Sequence, residues 1–221
     1  MRVLDLGCGN GDIVRGWIDM GFDAYGCDFR FKPGPEVETL FQKGRLALIT
    51  ERPYRLPYPD GHFDVLVTNQ VMEHVCDYPA TLKETHRVLK PHSVCLHIFP
   101  ARFVPIEPHI HVPLATVFQF WLWLALWARL GIRKTNQYDL SWREVADDNH
   151  RYLSNHTKYL ASADIYENFS KYFQEFYWAE AAFLRYSPNP RGRTFYQIGR
   201  IFPVLFWVYR TFWSRVILAR S

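Results

Sequence analysis

Apolar and polar residues follow two different rhythms along this chain, and the change falls near Pro100. Before it, short apolar runs at 3–6, 23–27, 46–50, 63–68 and 94–99 are set off by turn residues and read as strands. Between them, 12–20, 35–42 and 79–89 carry helical spacing, the last with Asp77 as N-cap and Pro79 in its first turn. Strand and helix in alternation predict a doubly wound α/β sheet with right-handed crossovers. In such sheets a ligand binds beyond the carboxyl ends of the strands, here those of the first and fourth.

After Pro100 the apolar runs lengthen. Residues 112–130 hold Phe118, Phe120, Trp121, Trp123 and Trp127, with only Gln119 and Arg129 clearly hydrophilic. The run is long enough to span a bilayer, but a lone span would separate the final strands from their sheet. It reads instead as the roof of an apolar pocket, or as an interfacial helix flanked by Arg129, Arg133 and Lys134. A second aromatic run, 195–213, precedes a closing strand at 215–219, and 172–178 reads as the strand before that. Arg185, Arg191, Arg193, Arg200, Arg210, Arg215 and Arg220 are candidates to meet anionic lipid head groups; ordinary solvated arginine is the plainer reading.

Composition adds limits. The 221 residues suffice for a single domain, and with 48% hydrophobic and 17% aromatic residues burial capacity is ample. A net charge of +4 without a clustered patch argues against a nucleic-acid partner. Cys8, Cys27, Cys76 and Cys95 have no paired or zinc-like spacing and read as reduced thiols of a cytoplasmic protein, peripheral on the inner face of the membrane if the aromatic runs 112–130 and 195–213 touch lipid. Met1 leads straight into the first strand, so no signal peptide is expected.

The chemistry begins at Leu4-Asp5-Leu6-Gly7-Cys8-Gly9-Asn10-Gly11, a strand that ends in a glycine loop opening a helix. Side chains at Gly7, Gly9 and Gly11 would obstruct a ligand near the backbone, and N–H groups at the helix start favour an anionic or polar ligand group. Asp28, closing the second strand, is placed for a ribose diol. A dinucleotide fingerprint wants glycine where Asp12 stands. The G-x-G-x-G form resembles motif I of the class I S-adenosylmethionine-dependent methyltransferases. Leu56-Pro57-Tyr58, Phe63-Asp64-Val65, Gln70-Val71-Met72-Glu73-His74-Val75 and Arg87-Val88-Leu89-Lys90-Pro91 continue the likeness over roughly the first hundred residues, closest to the type 11, small-molecule branch.

That resemblance implies a Rossmann-like sheet of order 3-2-1-4-5-7-6, its last strand antiparallel, with an aromatic-rich helical insertion after the fifth strand. The family's helices before the first strand are absent here, so either the start is shortened or misassigned or the carboxyl half supplies the cover. One methyltransferase domain is expected over 1–221: a cofactor core at 1–100, a substrate cap at 101–171, and final strands and helix at 172–221. The resemblance further implies S-adenosylmethionine as cofactor, with Asp5, Gly7, Cys8, Gly9 and Gly11 at its methionine end and Asp28 and Phe29 at the ribose. Arg52 replaces the usual acidic adenine contact and Glu51 stands one place off, so Glu51, Arg52 or a neighbouring backbone group is the candidate there. Asn69 and Gln70 are expected to line the methyl-transfer channel.

The acceptor end is read from Glu107-Pro108-His109-Ile110-His111, which leaves the fifth strand where substrate should sit. His109 or His111, oriented by Glu107, would take a proton from a hydroxyl as it attacks the methyl group; in the alternative the histidines only bind neighbouring carbonyls. Glu73-His74 is a second acid/base pair, at a position where the family commonly carries one without a required role. No metal is demanded. The expected activity is methyl transfer to a small, hydrophobic or lipid-linked acceptor, oxygen ahead of carbon; the alternative is a non-catalytic S-adenosylmethionine-binding or partner protein.

Overall fold

The computed structural model describes residues 1–221. Five strands, β1 (Arg2–Leu6), β2 (Asp23–Asp28), β3 (Leu46–Leu48), β6 (Phe63–Asn69) and β7 (Leu89–Pro100), pair in parallel. A two-stranded hairpin of β4 (Thr50–Glu51) and β5 (Tyr54–Arg55) stands outside their sheet. β9 (Ser214–Arg220) inserts antiparallel between β7 and β8 (Glu175–Trp178), which gives the order β3-β2-β1-β6-β7-β9-β8. With the hairpin set aside, this is the 3-2-1-4-5-7-6 order expected from the sequence.

Each face has its own core. Helices α1 (Asp12–Asp19) and α2 (Val37–Gln42) cover one, where Val14, Ala24, Leu40 and Leu46 pack together. The larger core on the other face joins Leu4, Leu66 and Phe99 of the sheet to Tyr78 and Leu82 of α3 (Tyr78–Val88) and to Ile165 and Phe169 of α6 (Ser162–Ser170). Asp77 caps α3 as expected, its Oδ1 accepting from Ala80 N at 3.0 Å.

The run 112–130 is not one helix. Residues 112–120 form turns with Val112 and Ala115 buried, and only α4 (Trp121–Arg129) is helical. α4 packs on α5 (Trp142–His156), and buried Leu124, Ala128, Val145, Ala146 and Leu153 give this cap small cores of its own. α6, expected inside the cap, serves the main core instead. Beyond a short helix, α7 (Glu180–Arg185), the second aromatic run also divides, into α8 (Pro190–Ile201) and α9 (Val204–Phe212), because Pro203 ends the first of these two. Gly199 lets the two meet: a Cβ there would lie 2.6 Å from Phe206 Cζ. No helix is long and apolar enough to cross a membrane.

Candidate active site

The carboxyl ends of β1, β2 and β6 share one edge, since Leu6 pairs with Cys27, Asp5 with Val67, and Asn69 with Ile98 of β7. The glycine loop lies there, but its glycines answer first to packing. Gly7 has φ +84° and a Cβ on it would sit 2.3 Å from Val71 Cγ2; a Cβ on Gly11 would meet Leu40 at 3.0 Å. The clash expected with a ligand is thus, at these two positions, a clash with the protein itself.

The loop's donors are also spent inside. Gly7 N and Cys8 N donate to Cys27 O, and Gly11 N to Cys8 O at 2.9 Å. Gly9 N donates to Asp28 Oδ2 at 2.9 Å, and Phe29 N to Asp28 Oδ1 at 2.7 Å. Asp28 therefore staples the loop to β2 while each of its oxygens keeps a second lone pair for a ribose hydroxyl. A pyrophosphate would need those N–H groups free; a sulfonium cofactor, which has no phosphate, does not.

Asp5 lies beneath the loop, buried, with Oδ2 unpartnered. Burial, and then the charge of Asp28, raise its pKa to about 7. A buried carboxylate oxygen without a partner fits the cationic methionine end of S-adenosylmethionine. Cys8 is buried too, and burial pushes its thiol up. Phe29 is exposed, its ring 5.9 Å from that of Tyr54 in the hairpin, and Glu51 is exposed on β4. Arg87 fixes the Leu56–Tyr58 turn by donating to Leu56 O and Tyr58 O while its other donors hold Glu84 and Asp60. Asn69 and Gln70 stand exposed at the end of β6, Gln70 with φ +57°.

Val71, seated on Gly7, links this loop to a second group of polar residues. A 3-10 turn, Met72–His74, carries Glu73 and His74; the segment after β7 brings Glu107 and His109. Glu107 is fully buried, and its Oε1 takes His109 Nδ1 at 2.7 Å and the Tyr159 hydroxyl at 2.6 Å. Its Oε2 accepts from the backbone N–H groups of His109 and Ile110, both at 2.7 Å. Burial alone would raise the Glu107 pKa, but these hydrogen bonds, those from His109 and Tyr159 foremost, hold it below the ordinary value. His109 Nδ1–H is thereby fixed on a carboxylate and Nε2 is left open. His111 is not brought in: it is exposed at φ +60°, and its backbone N–H donates to Glu107 O.

Sequence reasoning undervalued two members of this group and missed a third. Glu73 is buried with both carboxylate oxygens unpartnered, and burial raises its pKa to about 7. His74 donates Nδ1–H to His156 O at 2.6 Å, and its ring centroid is 4.8 Å from that of His109. Tyr159 arrives from 52 residues away. No local signal marks it, because its partner lies across the chain.

Comparison with known proteins bears on the amino-terminal part of the chain. Residues 4–97 match the family model Methyltransf_11, a methyltransferase domain. A demethylmenaquinone methyltransferase of Geobacillus kaustophilus is 34% identical over 103 residues, 43% of this chain and 44% of that protein. A probable S-adenosylmethionine-dependent methyltransferase of Mycolicibacterium smegmatis is 33% identical over 119 residues, 51% of this chain and 42% of that one. The chain thus spans under half the length of these relatives. In fold, it resembles an S-adenosylmethionine-dependent methyltransferase from Archaeoglobus fulgidus over 100% of this chain and 86% of that one, with a TM-score of 0.52 at 14% identity. Over residues 4–97 the chain thus matches a methyltransferase domain of the type 11 model, and its sheet order is that of the class I S-adenosylmethionine-dependent methyltransferase fold.

Proposed function

We propose that this protein transfers the methyl group of S-adenosylmethionine to a hydrophobic phenol- or quinol-like acceptor, with oxygen preferred over carbon. The observation that carries this reading is the Glu107–His109 pair, packed under an apolar cap against the turn whose Val71 sits on Gly7 of the glycine loop. The cofactor, when bound, supplies an electrophilic sulfonium methyl. The chain must then orient the acceptor and take its proton. His109 Nε2 accepts that proton, and the ionised Glu107 stabilises the charged ring that results. A deprotonated aromatic hydroxyl can be methylated on its oxygen or on the adjoining ring carbon, so one base serves either outcome. The quinone class is supported by the demethylmenaquinone methyltransferase name of the Geobacillus kaustophilus relative.

A lipid-borne acceptor is the corollary. α4 and the residue that follows it leave Leu122, Leu126 and Leu130 exposed, and the elbow between α8 and α9 exposes Ile201, Phe202, Val204 and Trp207. Exposed apolar residues at this density favour an interface. Beside the elbow, Arg185, Arg193 and Arg200 share a groove with Tyr186, Tyr196 and Gln197. Three other arginines of the sequence reading serve the fold instead. Arg210 makes a two-pronged ion pair with buried Glu180, Arg215 is buried and donates to Leu160 O, and Arg220 pairs with Glu175.

The test is incubation with methyl-labelled S-adenosylmethionine and a lipophilic quinol in anionic vesicles. Labelled quinol is the expected product, and its fragmentation locates the methyl on oxygen or carbon. Failure to label any apolar acceptor, together with no vesicle binding, would sink the reading.

A further inference from the structure

The base reading uses His109 but leaves Glu73 and His74 idle beside it. We propose that Glu73, His74 and His109 bind a divalent transition metal ion, with zinc or manganese as the natural occupants, through the Glu73 carboxylate and the Nε2 atoms of both histidines. Each ring is prepared for this. A carbonyl oxygen only accepts, so His74 Nδ1 bears its proton toward His156 O and Nε2 keeps a lone pair. His109 Nδ1 is fixed in the same way on Glu107, a carboxylate that also receives Tyr159 and two backbone N–H groups. Metal-bound histidines are held by just such carbonyl or carboxylate acceptors on their second nitrogen.

Glu73 supplies the independent observation. Its side chain has no exposed surface, and neither oxygen has a hydrogen-bond partner. A buried carboxylate without a partner is costly, and a cation removes that cost. One ligand atom from each of the three residues lies within 4.8 Å of the others, and Glu73 Oε1 is 3.9 Å from His74 Nε2. Zinc bonds of about 2.1 Å in a tetrahedral arrangement bring ligand atoms to about 3.4 Å from one another, so closure asks for side-chain movements of about 1 Å. Two imidazoles and one carboxylate suit zinc, manganese or iron and leave a coordination position open. The sequence alone demanded no metal; the fold leaves exposed His111 aside and brings Glu73 and His74 to His109 from the turn after β6.

An occupied site and a protonated His109 exclude each other, because both need the Nε2 lone pair. The bearing of the metal on methyl transfer therefore rests on the function proposed above, while its binding does not. Calorimetric titration of the full chain with ZnCl2 alone, and separately with MnCl2 alone, tests binding without cofactor or acceptor. One equivalent of zinc is expected. Glu73→Gln and His74→Ala should each weaken it at least 10-fold, and Glu107→Gln, which removes a supporting acceptor, 10- to 100-fold. Exposed His92→Ala should leave it unchanged. Cobalt(II) at the same site should give a visible d–d absorption that the Glu73 and His74 variants lose. Should Glu73→Gln fail to fold, as judged by circular dichroism, the half-buried His74→Ala carries the test. Zinc affinity unaltered by His74→Ala, or no binding of either metal, would overturn the proposal. Zinc binding without any methyl transfer would uphold it and count against the function alone.

Discussion

The two ends of the active edge are assembled in opposite ways. At the cofactor end, the glycine loop is tied to the neighbouring strand: Gly7 N to Cys27 O, and Gly9 N to Asp28 across 19 residues. At the acceptor end, Glu107 meets Tyr159 across 52 residues and His74 meets His156 across 82. The first is a property of a sheet that many sequences form. The second exists only when the cap folds back onto the turn after β6. The segment just after α5 does this, with Lys158 N donating to Glu73 O at 2.6 Å and Lys158 Nζ to Cys76 O at 3.2 Å. The comparison implies that cofactor binding and acceptor chemistry fail independently.

The sharpest way to break that implication is His109→Ala. Removing a positioned base costs about 10²- to 10⁴-fold in rate. Turnover of a quinol should fall within that range while the dissociation constant of S-adenosylmethionine moves less than about twofold, because His109 takes part in none of the hydrogen bonds that shape the loop. A parallel loss of cofactor affinity would show that the two ends are one unit.

Legibility follows the same division. The alternation of strands and helices, the glycine loop and the Asp77 cap were readable because each depends on residues close in sequence or on alternation that a strand enforces, while the sheet order came with the family resemblance. The Glu107–His109 pair was readable for the same reason, lying two residues apart. Glu73 was not, since its significance is burial without a partner, which the tertiary fold alone reveals. The run 112–130 misled because apolar count does not reveal that residues 112–120 bend through turns to bury Val112 and Ala115 before α4 starts. Even the loop was read for a partly mistaken reason, since Val71 and Leu40 crowd Gly7 and Gly11 where a ligand clash was expected.

A smaller effect tests the cofactor end alone. Burial and Asp28 raise the Asp5 pKa to about 7, so near neutrality the free protein holds a proton there part of the time. A cationic ligand favours the ionised form. Binding of S-adenosylmethionine must then release that proton, and affinity should fall as pH drops below 7, by up to about tenfold per unit. Above pH 7, where Asp5 is already ionised, this dependence should level off. Calorimetry in buffers of different ionisation enthalpy measures the released proton directly. Asp5→Asn should bind more weakly and abolish both the release and the acid-side slope; a slope that survives the substitution belongs to another group.

The effect smallest on turnover concerns the carboxyl half, where the open question is what its exposed apolar residues meet. Ile201 and Trp207 are 73% and 56% exposed at the elbow of α8 and α9, and neither belongs to the buried core. Replacing a core residue would destabilise the fold; replacing these by serine should not, because they bury little surface in the free protein. If the elbow enters a lipid interface, each loses about 1 kcal/mol of transfer energy, roughly fivefold in vesicle partitioning. Ile201→Ser with Trp207→Ser should therefore lower binding to anionic vesicles by about 25-fold, with thermal stability and turnover of a detergent-dissolved quinol unchanged. The arginines sharpen the result, because added salt weakens electrostatic attraction to head groups but not apolar insertion. Arg185→Ala with Arg200→Ala should therefore remove the salt-sensitive share of binding and leave the apolar share. Vesicle binding indifferent to all four substitutions would place the lipid contact at α4, or remove it from this protein altogether.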